Sequence, residues 1–135
     1  SAPPAKWNNA LAYYHGNAYV HMLGVTGYNN GPYYAYQGET WRSFGEIYDK
    51  VQEEYEPHFI RFPWIITEFA SSSVGGDKAA WITDMFQRLG DYPNIRIAVW
   101  FSAADYDEAG NPARPYWLDE TEETLRAFRE GLAGK

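Results

Sequence analysis

The apolar run from Trp64 to Ala70 constrains the fold of this chain more than any other segment. Apolar residues occupy both parities of the run and β-branched types dominate it, which predicts a strand buried on both faces. Such strands belong mostly to parallel sheets covered by helices. Glu68 lies near the end of the run, where an ionised carboxylate loses water and must be compensated. Two interpretations stay open here: a functional carboxylate, or a glutamate that only pairs with an arginine or a helix N-terminus.

Strands and helices alternate along the chain. Strands are predicted at about 19–28, 64–70 and 95–101, and helices at about 43–56, 77–89 and 119–132. This alternation predicts βαβ units with right-handed crossovers and a parallel sheet. The polar stretches between these elements, 29–40 and 105–115, are predicted to be loops.

Several residues mark the ends of the predicted helices. Ser43 and Glu46 have the spacing of a capping box, and so do Asp119 and Glu122. Gly90 follows the second helical pattern and is predicted to cap it.

Side-chain parity predicts which strand residues share a face. In the strand at 95–101 the odd positions carry Ile, Val and Phe and are expected to face the helices, which leaves Trp100 on the other face. Ile66 and Glu68 share a parity in their strand. Tyr28, Glu68 and Trp100 are therefore expected to share one face near the carboxyl ends of three strands, where parallel folds gather their functional groups. This placement favours the functional interpretation of Glu68.

Composition excludes several functions. The net charge of −7 and the pI of about 4.8 argue against nucleic acid as a partner, because phosphate binding needs a basic face. Lys and Arg are scattered and no apolar stretch is long enough to span a bilayer, so no membrane partner is expected. The absence of cysteine rules out thiolate chemistry. The histidines at 15, 21 and 58 lack the spacing of a metal site, so neither a metal nor another cofactor is predicted.

Aromatic residues are unusually frequent, with 6 Trp, 12 Tyr and 7 Phe, or 19% of the chain. Tyr33, Tyr34 and Tyr36 lie in a polar, Gly-rich stretch, where flat rings with polar tips suit the faces of sugars or a protein interface. The alternative is that these rings only pin their own loop to the body of the protein.

The chain resembles the C-terminal part of glycoside hydrolase family 26, the β-mannanase family. The resemblance rests on five segments in the family's order, from about Tyr13 to Leu132: Tyr19–Asn29, Trp41–Phe44, Ile65–Ala70, Gly75–Ile82 and Ala98–Phe101. It implies an α/β fold: a partial (β/α)8 barrel, in which residues 1–135 form a single domain and supply strands six to eight. It further implies retaining hydrolysis of β-1,4-mannan by a secreted enzyme.

The resemblance also implies roles for individual residues. Glu68 matches the nucleophile at the end of the seventh strand, and Tyr28 matches the tyrosine that hydrogen-bonds this nucleophile. Trp100 matches a tryptophan that lines the sugar subsite, and the Tyr-rich loop is expected to contribute further substrate contacts. One departure is His21, which stands where the family usually has Asp.

The second departure concerns the general acid/base. A full barrel needs about 250 residues, and the resemblance implies that the strand with the acid/base glutamate lies outside this chain. Asp105 and Asp107 follow the third strand and are the candidates for a replacement acid. We therefore expect a chain that is inactive alone, binds a β-linked polysaccharide or oligosaccharide, and is completed by an N-terminal region or another chain.

Two alternatives to the hydrolase remain open. One is a non-catalytic polysaccharide-binding module derived from such a barrel, which holds its ligand through Trp100 and the Tyr-rich loop. The other is an interaction protein whose open sheet edges pair with another chain. Neither the choice among mannan, mixed-linkage glucan and xylan nor that between endo and exo action follows from the sequence.

Overall fold

A computed structural model describes residues 23–59 and 63–134. The predicted beginning of the first strand, including His21, lies outside these residues, as does His15. The strands and helices are β1 (Leu23–Asn29), α1 (Phe44–Phe59), β2 (Trp64–Ser71), α2 (Lys78–Arg88), β3 (Ile95–Trp100), β4 (Ala104–Tyr106), β5 (Pro112–Pro115) and α3 (Glu122–Ala133). Short 3-10 helices occupy Gly31–Gln37 and Leu89–Asp91.

The main sheet is parallel, with strand order β1-β2-β3. Helix α1 connects β1 to β2, and α2 connects β2 to β3, so the predicted βαβ arrangement is confirmed. The described part of the chain is thus an α/β structure with a three-stranded parallel sheet, as expected for part of a larger α/β fold. Closure of such a sheet into a barrel stays a prediction.

Helices α1 and α2 cover one face of the sheet, and the core lies between them and β2. Phe44 of α1 is completely buried, as are Ile66 of β2 and Ile82 of α2. The other members of the core cluster are also apolar or aromatic: Ile47, Tyr48, Phe69, Trp81, Met85, Phe86 and Tyr92. Burial raises the pKa of the Tyr48 phenol, which therefore stays neutral inside this core.

The opposite face of β3 is open to solvent. Ile97 and Val99 are 48% and 50% exposed, although parity had assigned them to the helix face. Instead, Ala98 pairs with Ile66 and Trp100 pairs with Phe69, both core residues on the helix side. Ile95 packs against the core cluster as predicted, but the parity prediction is wrong for Ile97 and Val99. The register of β3 on β2 shifts between Ile95 and Ile97, and such a shift exchanges the two faces of the rest of the strand.

The predicted capping box at the start of α1 is confirmed. The Glu46 backbone N–H donates to Ser43 Oγ at 3.1 Å, and the Ser43 N–H donates to Glu46 Oε2 at 2.7 Å. The helix also continues to Phe59, past Pro57, where an end was predicted. A proline removes one hydrogen bond from a helix and so weakens it without always ending it.

Removal of this cap should weaken the protein measurably. Ser43→Ala is expected to lower the free energy of unfolding by about 1 kcal/mol, because one helix N–H loses its acceptor. Urea denaturation measures the change. Lys50→Ala, on the exposed side of the same helix, is the control and should stay within about 0.5 kcal/mol of the parent protein. Equal stability of the two variants would contradict a stabilising role for the cap.

The other predicted helix ends need correction. Thr121, not Asp119, caps α3, since its hydroxyl accepts the Thr124 N–H at 3.1 Å. Gly90 lies within the 3-10 turn that follows α2 and does not cap the helix.

The predicted loop at 105–115 also contains structure. Strands β4 and β5 pair as an antiparallel hairpin. The stretch was predicted to be a loop because its composition is polar.

Candidate active site

A β-bulge in β2 sets the direction of Glu68. Val25 of β1 pairs with Ile66 and Thr26 pairs with Glu68, so the ladder skips Thr67, whose hydroxyl donates to the Val25 carbonyl at 3.2 Å. The register of β3 shifts over the same stretch of β2. An extra residue reverses the side-chain alternation, and bulges often redirect side chains next to active sites. Ile66 therefore faces the helices, and the predicted shared face of Ile66 and Glu68 is wrong.

Glu68 meets Tyr28 on the face of the sheet that lies away from the helices. The Tyr28 hydroxyl donates a hydrogen bond to Glu68 Oε1. Gly27, next to Tyr28, lies against Ile47 and Tyr48 of α1, which fixes Tyr28 on the opposite face of β1. Both partners are half-buried, so the carboxylate is accessible while one of its oxygens is held. The structure thus brings together the two residues predicted as catalytic.

Tyr28 belongs to a cluster of three aromatic rings at the carboxyl end of the sheet. Its ring centre lies 5.3 Å from that of Tyr116 and 6.1 Å from that of Phe101. The Phe101 and Tyr116 rings are also 6.1 Å apart. These separations are those of favourable edge and tilted ring contacts. Phe101 directly follows β3, and it is therefore the aromatic residue at the end of this strand that packs against Tyr28.

Trp100 lies on the other side of the sheet. Its ring packs against Phe69, Trp81 and Phe128 at centre distances of 5.3, 5.9 and 6.2 Å. Its indole N–H donates to the Tyr116 carbonyl oxygen at 2.8 Å. The prediction that Trp100 shares a face with Tyr28 and Glu68 is therefore wrong. The reason is the shifted register of β3 on β2, which turns Phe101, not Trp100, toward Tyr28.

Asn29 anchors the chain where it leaves β1. This residue is completely buried, and its amide group donates to Ser71 Oγ at 3.0 Å. Its side-chain oxygen accepts the backbone N–H groups of Gly31 at 3.3 Å and Arg42 at 2.9 Å. Gly31 adopts φ +60°, and a Cβ atom there would lie 2.2 Å from the Val74 carbonyl oxygen, so only glycine fits. The start of the following segment is therefore tightly fixed.

The segment Gly31–Gln37, called here the tyrosine segment, is held by Arg114 of β5. The Arg114 guanidinium carbon lies 4.6 Å from the Tyr33 ring centre and 5.1 Å from that of Tyr34. Its Nη1 donates to the Tyr34 hydroxyl at 2.9 Å, and its Nη2 lies 2.7 Å from Asp105 Oδ2. Stacked guanidinium groups of this kind combine cation–π attraction with ion pairing. Arg114 thus ties the tyrosine segment to the hairpin.

The three predicted substrate-binding tyrosines differ in exposure. Tyr34 is half-buried, and Tyr33 is 42% exposed although one face meets Arg114. Tyr36 is 78% exposed and accepts a hydrogen bond only from its neighbour Gln37 among the described residues. Pinning of the loop therefore accounts for Tyr34, while Tyr33 and Tyr36 present ring surface to solvent.

The two aspartates considered as replacement acids are both engaged in the hairpin. Asp105 pairs with Arg114. Asp107 Oδ1 accepts the N–H groups of Ala109 at 2.9 Å and Asn111 at 2.8 Å. The Asn111 N–H is the main reason that the pKa of Asp107 lies below its usual value. Asp107 is held in the ionised form in this way and is therefore a poor proton donor.

The Asp107 carboxylate should make the hairpin sensitive to pH. Because folding lowers the pKa of Asp107, the ionised carboxylate stabilises the hairpin fully above the usual Asp pKa of about 4. This stabilisation is lost as the pH falls through the lower pKa of the folded state. We expect the amide signals of Ala109 and Asn111 to move toward random-coil positions in this acidic range, as followed by NMR. Asp107→Ala should remove this pH dependence, whereas the control Glu108→Ala should retain it. An unchanged titration in Asp107→Ala would contradict the assignment.

Sequence reasoning missed Tyr116, Asn29 and Arg114 as parts of this site. Arg114 lies within the stretch 105–115 that is predicted to be a polar loop, Tyr116 directly follows it, and Asn29 begins the other predicted loop. Tyr116 is 2% exposed, and burial raises the pKa of its phenol to about 12. A buried tyrosine whose hydroxyl has a partner must be recognised from tertiary contacts, not from local pattern.

Within residues 23–59 and 63–134 no three His, Asp or Glu side chains converge as metal ligands would. No helix among them combines the length and apolar character needed to cross a bilayer.

Comparison with known proteins gives one informative similarity. No profile of a known protein family matches the chain. A protein named endoglucanase H, from Acetivibrio thermocellus, is 32% identical over 123 residues, which are 90% of this chain and 13% of that protein. The chain thus spans a small part of the relative's length. The similarity supports a relationship to glycoside hydrolases, whereas family 26 in particular stays a prediction.

Proposed function

We propose that this chain supplies the nucleophile side of a retaining glycoside hydrolase site, with Glu68 as nucleophile and Tyr28 as the residue that orients it. The observation that carries the proposal is the hydrogen bond from Tyr28 to Glu68 at the carboxyl end of a parallel sheet. The bulge beside Glu68 and the similarity to endoglucanase H also support it.

The chemistry follows from the second oxygen of Glu68, Oε2. In retaining hydrolysis a carboxylate attacks the anomeric carbon and forms a glycosyl ester, while a second carboxyl group protonates the leaving oxygen and later activates water. Tyr28 holds Oε1, which leaves Oε2 to form the new bond. The second carboxyl group must lie about 5–5.5 Å from the first.

We propose that this acid/base comes from polypeptide beyond the present chain. The face of β3 that carries Ile97 and Val99 is about half exposed, and parallel sheets are normally covered on both faces. Further βα units, from the same longer protein or from a second chain, would cover this face and bring the missing carboxyl group. The 135-residue chain alone is then expected not to hydrolyse polysaccharide.

The proposed substrate is a β-linked polysaccharide. The resemblance to family 26 favours β-1,4-mannan, and the name of the relative, an endoglucanase, favours a glucan. Tyr33 and Tyr36, with 42% and 78% of their surface exposed, are proposed to contact sugar rings. Because polysaccharides are too large to enter cells, we propose that the protein acts outside the cell.

A probe that needs no general acid tests the proposal on this chain. In 2,4-dinitrophenyl 2-deoxy-2-fluoroglycosides the leaving group departs without a proton, and the fluorine slows release of the glycosyl ester. We expect covalent labelling of the 135-residue chain, detected by intact mass and located at Glu68 by peptide mapping. Manno- and gluco-configured probes compare the two substrate classes. Absence of labelling by both, in a folded chain that binds oligosaccharide, would overturn the nucleophile assignment.

A binding module is the second candidate function, and the exposed Tyr36 ring is the observation that favours it. Calorimetric titration with manno- and cello-oligosaccharides separates the two functions. Binding that survives Glu68→Ala and is lost in Tyr36→Ala, together with no covalent labelling, would favour the module. Trp100→Ala is not informative here because that ring packs in the core.

A further inference from the structure

Tyr116 is fixed at three points between separate parts of the fold. Its backbone N–H donates to the Ala103 carbonyl at 2.8 Å, and its own carbonyl accepts the Trp100 indole N–H at 2.8 Å. Its hydroxyl donates to Asn30 Oδ1 at 2.7 Å. Tyr116 therefore connects the hairpin, the end of β3 and the residue that follows β1, and its own position is well determined.

The Tyr116 ring does not belong to the core cluster between the helices and the sheet. It is 2% exposed, and it lies 5.3 Å from the Tyr28 ring at an angle of 44°. Phe101 packs edge-on against Tyr28, with an interplanar angle of 86°. Together these two rings restrict the side-chain rotations open to Tyr28 and keep its hydroxyl directed at Glu68.

We propose that Tyr116 is a positioning residue that holds the Tyr28 hydroxyl on the Glu68 carboxylate. This inference rests on the function proposed above, because it concerns the same carboxylate. Tyr116 contacts Tyr28 and acts through it, so it has no direct part in the chemistry. The ring supplies the restriction, and the bond to Asn30 holds the ring.

The inference is tested through the environment of the Tyr28 phenol. Tyrosine is labelled with ¹³C at the ring carbon that bears the hydroxyl. The quantity measured is the change in the chemical shift of this carbon in Tyr28 when Glu68→Gln is introduced. Tyr28→Phe assigns the signal. This change reports how closely the hydroxyl follows the charge on Glu68, and a role of Tyr116 in stability alone would not alter it.

The shift change should fall to less than half in Tyr116→Ala and in Tyr116→Leu, which lack the ring. Tyr116→Phe keeps the ring and should retain most of it. A full shift change in the folded Ala or Leu variant would overturn the inference. So would failure of both to fold, as judged by circular dichroism, while Tyr116→Phe folds, because the role would then be structural.

Labelling by the activated glycoside separates this inference from the proposed function. If the parent chain is labelled at Glu68, Tyr116→Ala is expected to slow labelling about ten- to hundredfold, as loss of orientation does. Labelling at the parent rate in that variant would overturn the positioning role and leave the nucleophile assignment intact. A parent chain without labelling, but with a shift change that depends on Tyr116, would overturn the proposed function and leave the positioning role intact.

Discussion

Phe44→Ala is expected to lower the free energy of unfolding by about 3–5 kcal/mol, the largest effect on stability that the fold predicts. The Phe44 ring is completely buried and lies 4.6 Å from Tyr48 and 5.6 Å from Tyr92, centre to centre. It also meets Phe69 of β2 and Trp81 of α2 at 6.1 and 6.0 Å. Truncation leaves a cavity between two helices and the sheet, and surrounding aromatic rings cannot easily collapse into it.

Urea denaturation followed by tryptophan fluorescence measures this loss. Tyr36→Ala is the matched control, since it removes an aromatic ring that is 78% exposed, and its effect should stay within about 0.5 kcal/mol. If Phe44→Ala costs less than about 1 kcal/mol, the site has either repacked or is not the centre of the core.

Features that depend on contacts between residues close in sequence were the most predictable part of this fold. The Ser43–Glu46 capping box follows from spacing alone, because both partners lie within one helical turn. The alternation of strands and helices likewise predicted the parallel sheet. Asp119 shows the limit of this approach: the same spacing occurs there, but Thr121, two residues later, makes the cap. Two side chains so close in sequence can both accept a helix N–H, and only the packing of the helix in the fold decides which one caps it.

The site was predicted in part, and its errors have one physical cause. Tyr28 and Glu68 were expected to share a face and do so, but the parity that suggested it assumed a regular strand. The bulge at Thr67 restores Glu68 to that face after Ile66 has turned to the helices. Trp100 was misplaced because a one-residue change of register exchanges the two faces of a strand. Bulges depend on pairing between strands, which a single sequence does not display.

Glu68→Gln is expected to reduce covalent labelling by the activated glycoside at least about 10³-fold, the largest effect on chemistry. Glutamine has nearly the shape of glutamate, and its amide oxygen can still accept the Tyr28 hydrogen bond. The neutral amide is a far weaker nucleophile than the carboxylate, so the loss should come from chemistry and not from unfolding.

Two controls make the result of Glu68→Gln decisive. Glu123→Gln makes the same substitution at an exposed position in α3 and should be labelled at the parent rate. Calorimetry with oligosaccharides should show that Glu68→Gln still binds, because the exposed rings of Tyr33 and Tyr36 are unchanged. If Glu68→Gln is labelled as fast as the parent chain, another side chain is the nucleophile, and the bond from Tyr28 to Glu68 then serves only to join β1 to β2.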